Sequence, residues 1–271
     1  MRWLAAVEQL RSSREPGVLV TLTSVRGHAP REAGAKMVVG RDRTWDSVGG
    51  GNLEAEAVER ARAMIADGRT APETFGSALS DRAPGRHGLQ CCGGEVTLLL
   101  EPLPVVPAVA IFGMGHVGHE LARILARHDL DLHLVDTREA QLADELLAPL
   151  ADADARVHPH RVPLLPELVL PTLPAGTHVL VMTHDHAEDA AVVDAALRRG
   201  DLATVGLIGS SAKWTRLRAR LREAGLTEDD LARVTTPVGL PSVPGKDPAS
   251  IAVGVAADLL VRMAATAGAS R

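Results

Sequence analysis

The chain has no tyrosine, and aromatic residues make up 2% of its 271 positions. Platforms on which unpaired bases stack need aromatic faces, so this composition disfavours a base-stacking surface. No block of Lys and Arg stands out and the formal net charge is −5. The basic footprint of a duplex binder is therefore absent as well. No stretch approaches the roughly 18 uncharged apolar residues of a membrane span. Glu8 and Gln9 interrupt the N-terminal segment before it could serve as a signal peptide. Only two cysteines occur, and they are adjacent, which does not build a secreted disulfide framework. A cytoplasmic setting, with neither membrane nor nucleic acid as partner, is the expectation.

What is present begins with that cysteine pair, in Leu89-Gln90-Cys91-Cys92-Gly93-Gly94. A bridge between neighbours closes a strained ring and constrains almost none of the unfolded chain, so stability does not explain it. Gly93 and Gly94 lack a Cβ and let backbone approach a ligand beside two soft sulfurs. The pair is either a docking loop for something thiophilic or small apolar filler before the strand predicted at 96–100.

A length of 271 residues with 46% hydrophobic positions suffices for two domains. Three prolines within Glu101-Pro102-Leu103-Pro104-Val105-Val106-Pro107 read as the join, too dense for a helix or a central strand. Residues 1–106 are then expected to form a small α+β domain, with strands at 17–24, 35–39 and 96–100 and a helix over 53–66. Residues 107–271 alternate strand and helix: strands at 108–112, 132–135, 178–182 and 204–208, with helices running through Ala126, over 188–199 and over 212–224. That rhythm predicts an α/β fold with a Rossmann-like, doubly wound parallel sheet.

Gly113-Met114-Gly115-His116-Val117-Gly118 follows the first of those strands and opens a helix, and Asp136 stands at the tip of the next strand. This is the context that turns GxGxxG into a dinucleotide fingerprint, with Gly113, Gly115 and Gly118 admitting a phosphate and Asp136 placed for a ribose. NAD(P) or another nucleotide is the implied ligand, unless the turn serves only helix packing.

Thr183-His184-Asp185-His186 lies just past a strand end, where open α/β sheets place ligands. A metal site completed by Glu188 and Asp189, a substrate or proton-transfer role, and a solvated helix-capping loop are all compatible with it. Gly209-Ser210-Ser211 with Lys213 is either an anion turn or a tight connection with Ser211 as N-cap. Ser47-Val48-Gly49-Gly50-Gly51-Asn52-Leu53-Glu54 runs straight into a helix and is either a phosphate or pterin cradle or a flexible hairpin connection.

Taken in order, Gly27-His28-Ala29-Pro30-Arg31 with Gly34 to Met37, Gly49-Gly50-Gly51 with Leu53-Glu54, and Gln90-Cys91-Cys92-Gly93-Gly94 resemble the XdhC/CoxI family of xanthine dehydrogenase accessory proteins. The resemblance continues through the glycine fingerprint, Thr183-His184-Asp185, Gly206 to Ser210 with Lys213, Pro237-Val238-Gly239-Leu240 and Lys246-Asp247-Pro248. His28 stands where the family commonly has serine, and Leu89 where it has glycine.

The resemblance implies a maturation factor that binds molybdenum cofactor (molybdopterin), supports its sulfuration from Mo=O to Mo=S, and inserts it into a xanthine dehydrogenase-type molybdoenzyme. A cysteine desulfurase would supply the sulfur, and the factor is expected to form a homo-oligomer. Cys91 and Cys92 would contact molybdenum and handle sulfur, since thiolates are soft ligands. Arg31, Lys36, Gly49, Gly50, Gly51, Glu54, Gln90, Gly93 and Gly94 would hold the anionic pterin, while Gly113, Gly115, Gly118, Asp136, His184, Asp185, Ser210 and Lys213 line the Rossmann side. The alternatives are an NAD(P)-dependent oxidoreductase using His184 or His186 as proton donor, and a purely structural chaperone.

Overall fold

A computed structural model describes residues 2–78 and 94–268. The chain divides into two compact units, 1–105 with 265–271, and 106–264.

The first unit contains α1 (Trp3–Ser13), β1 (Gly17–Arg26), β2 (Lys36–Val39), β3 (Thr44–Asp46), α2 (Gly51–Ala66), β4 (Glu73–Ala78) and β5 (Glu95–Leu103). Its five strands form an antiparallel sheet in the order β3-β2-β1-β5-β4. Alternation assigns the two faces. Val18, Val20, Leu22, Met37, Val39, Leu98 and Leu100 pack with Leu53, Ala57, Ala61 and Met64 of α2, while Leu19, Val38 and Leu103 meet Trp3, Ala6 and Leu10 of α1. Burying each large side chain contributes roughly 2 kcal/mol.

The proline-rich join is shorter than the sequence suggests, because β5 runs through Pro102, which stands opposite Val18. Pairing with β4 ends at Leu100, so beyond that point β5 has one neighbour and tolerates a proline as an edge strand does. Helix α1 and strands β3 and β4 are not apparent from the sequence pattern. Only Ala6 and Leu10 of α1 are buried, too few for a clear helical stripe.

The second unit runs β6 (Ala108–Phe112), α3 (His116–Leu125), β7 (Asp131–Asp136), α4 (Asp144–Leu147), β8 (Arg156–Arg161), β9 (His178–Val181), α5 (His186–Arg198), β10 (Thr204–Leu207), α6 (Ser211–Glu223), α7 (Glu228–Ala232), β11 (Val234–Thr235) and α8 (Pro248–Gly268). Its six parallel strands lie in the order β11-β10-β9-β6-β7-β8. The chain starts at β6, winds outward through β7 and β8, then returns to the other side of β6. This is the expected doubly wound topology, and every residue of β6 is buried.

Strand β8 escapes the sequence pattern because Pro159 sits inside it, which only an edge strand accommodates. By length and composition alone helix α8 is apolar enough to cross a membrane over Pro248–Ala265, with a mean hydropathy of 1.5, although Asp258 and Arg262 leave it no run of 18 uncharged residues. It carries the ion pair Arg262 to Asp258 at 3.0 Å, and Ala252, Val255, Ala256 and Leu259 pack into the core of the sheet.

On the outer edge of that sheet the period of two and the parallel register place His133, His158 and His160 on one face. His133 stacks on His158 at 4.7 Å and on His160 at 5.3 Å, and its Nδ1 lies 3.0 Å from Nε2 of His160. One of those two nitrogens must be the unprotonated acceptor. Asp131 meets His158 at 3.4 Å, and Arg161 is turned away onto Leu142 and Asp144.

Burial, and then the charge of His158, lower the His160 pKa below its ordinary value. The unfolded chain therefore binds more protons in this window. Stability contributed here is present above about pH 6.5 and is lost as the pH falls toward the folded value. Denaturant unfolding across the histidine range is expected to show a smaller acid-induced loss for His160→Gln than for the native chain.

Candidate functional site

In the first unit, the turn after β1 and the loop before α2 meet. Gly49, Gly50 and Gly51 all have φ between 62° and 137°, a run that side chains rarely adopt, which explains the triplet. Gly49 packs on Pro30 and Arg31, and Arg31 Nε donates to the Ser47 carbonyl at 3.4 Å. Glu54 turns back from the first turn of α2, where its carboxylate accepts from Gly50 N at 3.1 Å and from the Ser47 hydroxyl. The amide end of this helix therefore already holds an anion of its own.

Lys36 does not join this group. Its ammonium donates to Thr21 Oγ1 at 2.9 Å and lies 5.4 Å from the Trp3 ring, on the α1 face of the sheet rather than the α2 face.

Gly94 does join it. A Cβ there would stand 2.2 Å from the His28 carbonyl oxygen and 2.8 Å from that of Arg26, so only glycine fits against the turn that leads to Arg31. Gln90, Cys91, Cys92 and Gly93 lie outside the described residues. A cavity of about 380 Å³ opens beside Gly94's neighbour Glu95, lined also by Ser24, Arg26, Ser77, Ala78 and Thr97. Sequence reasoning did not single out Arg26, because at the end of a strand it reads as a solvated charge.

In the second unit, β6 and β9 flank the point where the winding reverses, and their loops touch. Gly113 has φ 109°, and a Cβ on it would lie 2.3 Å from the Met182 carbonyl oxygen. A Cβ on Gly118 would lie 2.3 Å from the Gly113 carbonyl oxygen, whereas at Gly115 it would meet nothing within 4 Å. Two glycines thus permit packing and the middle one faces open space, the division of labour of a dinucleotide-type turn.

Asp136 is engaged differently from the ribose contact expected of it. It is 4% exposed and accepts from Met114 N at 2.7 Å and from Arg138 through N, Nε and Nη2 at 2.8 to 2.9 Å. Burial alone would raise its pKa, but the Arg138 and Met114 hydrogen bonds outweigh that and hold the carboxyl below its usual range.

The 183–186 segment is a cap rather than a metal centre. Asp185 is the N-cap of α5, accepting from Ala187 N at 2.6 Å and Glu188 N at 3.1 Å, and those two backbone bonds lower its pKa. His184 lies 3.8 Å from Glu188, and Glu188 also accepts from Thr137 Oγ1. Among the described residues no three His, Cys, Asp or Glu side chains gather to hold a metal, which corrects the metal option for this loop.

Ser210, not Ser211, caps α6, its hydroxyl accepting from Lys213 N at 3.2 Å. Lys213 is not free for an anion. It pairs with Asp189 at 2.6 Å and donates to the Ile208 carbonyl at 3.0 Å. Asp189 is 1% exposed and also accepts from Thr183 N and Oγ1, so this carboxylate ties the β9 loop to the start of α6.

A family model described as the XdhC Rossmann domain matches residues 109–259, and the model of the XdhC and CoxI family matches residues 10–76. The chain belongs to the XdhC and CoxI family. The Rossmann match spans the glycine turn, Asp136, Asp189 and Lys213, and the other spans Arg31 and the glycine triplet. Cys91 and Cys92 fall between the two matched segments.

Among characterised relatives, the molybdenum cofactor insertion chaperone PaoD of Escherichia coli K12 is 27% identical over 260 residues, 87% of this chain and 80% of PaoD. The uncharacterized protein YqeB of the same organism is 23% identical over 252 residues, 93% of this chain. The chain spans only 44% of the length of YqeB. A crystal structure of a xanthine dehydrogenase from Bacillus halodurans aligns with 98% of this chain and 96% of its own, at a TM-score of 0.48 and 20% identity.

Within this XdhC-family Rossmann unit, removing one partner of a buried pair strands the other charge. Lys213→Met is expected to cost about 3 kcal/mol in denaturant unfolding, and adding Asp189→Leu is expected to restore a large part of it.

Proposed function

We propose that this chain is a maturation factor that carries molybdenum cofactor and delivers it to a xanthine dehydrogenase-type molybdoenzyme in the cytoplasm. The observation that carries this is family membership together with a 27% match spanning 80% of PaoD, which is named a molybdenum cofactor insertion chaperone. The first unit supports it physically. Gly94, two residues after Cys92 in the chain, closes against the turn leading to Arg31, and Arg26 lines the adjoining cavity. Two guanidinium groups are suited to a pterin phosphate, and a vicinal thiol pair is suited to molybdenum.

In this proposal Cys91 and Cys92 hold the cargo through molybdenum, Arg26 and Arg31 take its phosphate, and Gly49, Gly50, Gly51 and Glu54 fix the turn that positions Arg31. Sulfuration of the cargo takes place on the thiols, with a cysteine desulfurase as donor, in a homo-oligomer. An NAD(P)-dependent oxidoreductase is the weaker reading. The carboxylate it needs for a ribose is engaged by Met114 and Arg138, and His184 and His186 flank a helix cap.

The full chain purified from cells that make molybdenum cofactor is expected to contain molybdenum and pterin in equal amounts, by metal analysis and mass spectrometry. Cys91→Ala with Cys92→Ala is expected to lose both without a change in unfolding midpoint. Native protein devoid of pterin, together with full activation of the client enzyme by the double variant, would overturn the proposal.

A further inference from the structure

The start of α5 and the first turns of α6 enclose a cavity of about 460 Å³, lined by His186, Ser210, Ala212, Arg216, Leu217 and Arg220, with the Asp189–Lys213 pair at its wall. That size lies within the usual range for small-molecule sites. What sets the cavity apart is which of its charges are already balanced.

Arg138 is held by Asp136 and Lys213 by Asp189, while Arg218 and Arg222 both pair with Glu228. Arg216 and Arg220 have no carboxylate partner among the described residues, yet both line the cavity. Four residues apart on a helix, they share one face at neighbouring positions. Because Lys213 neutralises Asp189, the wall that remains is net positive. Leu217 and Ala212 add an apolar side that phosphate alone would not use.

We propose that this groove between α5 and α6 binds an organic diphosphate, with Arg216 and Arg220 taking the phosphates and the Ala212–Leu217 side taking the organic part. Guanidinium forks match phosphate oxygens in pairs, and a concave cavity suits a small ligand better than a protein surface. The site lies on the β10 side of the sheet and does not use the glycine turn that the fingerprint marks. It makes no use of the thiols, so it stands or falls apart from cofactor carriage.

Calorimetry at low ionic strength with inorganic pyrophosphate and with ADP tests it on the full chain. Both are expected to bind the native protein, ADP more tightly, and Arg216→Gln with Arg220→Gln is expected to weaken both by at least about tenfold. Gly115→Ala is expected to leave binding intact, since that residue has φ −75° and open space for a Cβ. Cys91→Ala with Cys92→Ala is also expected to leave it intact.

No binding by the native protein, or unchanged binding by the arginine variant with its unfolding midpoint retained, would overturn the proposal. Loss on Gly115→Ala with retention in the arginine variant would place the ligand on the glycine turn instead. Equal affinity for pyrophosphate and ADP would overturn the role given to the apolar side.

Discussion

The Rossmann unit can bring the loops after β6 and β9 together only because Gly113 carries no side chain, since any Cβ would collide with the Met182 carbonyl oxygen. The close approach lies at the end of β6, which is fully buried between β7 and β9. Each of the two loops is then held by a buried carboxylate. Asp136 accepts from Met114 N and is balanced by Arg138, and Asp189 accepts from Thr183 N and is balanced by Lys213. The same device appears twice: a backbone amide of the crevice, an acid beneath it and a cation beside the acid. Buried carboxylates need such partners because desolvation would otherwise disfavour their charge.

This arrangement changes the chemistry open to the crevice. Residues that look like ligands for a nucleotide or an anion are bound to one another, and what remains open is space beside Gly115 and the positive groove along α6. The first unit follows a related economy, with Glu54 occupying the amide end of α2 so that the glycine triplet shapes a turn around Arg31. Arg31 stays on that turn, and Arg26 lines the cavity beside Glu95.

Most of the doubly wound sheet was legible in the sequence. β6, β7, β9 and β10 are short apolar runs separated by helical periodicity, and burial of both sheet faces imposes that pattern. At the head of α7, Thr227 and Asp230 form a capping box, a local device with a local signature. The edge strand β8 was hidden because His158, Pro159 and His160 do not resemble a strand, and its identity comes from pairing with β7. Helix α1 was hidden by its narrow buried stripe.

The sequence by itself determined the fold class and the family, and marked Gly113, Gly115 and Gly118 as a turn, because backbone constraints and burial periodicity are written locally. Only the tertiary structure decided which polar groups remain available. Lys36 turned to the α1 face, Asp136 went to Arg138, and Lys213 went to Asp189. Partnerships of this kind join residues as far as 24 positions apart, across elements that meet only once the sheet has formed.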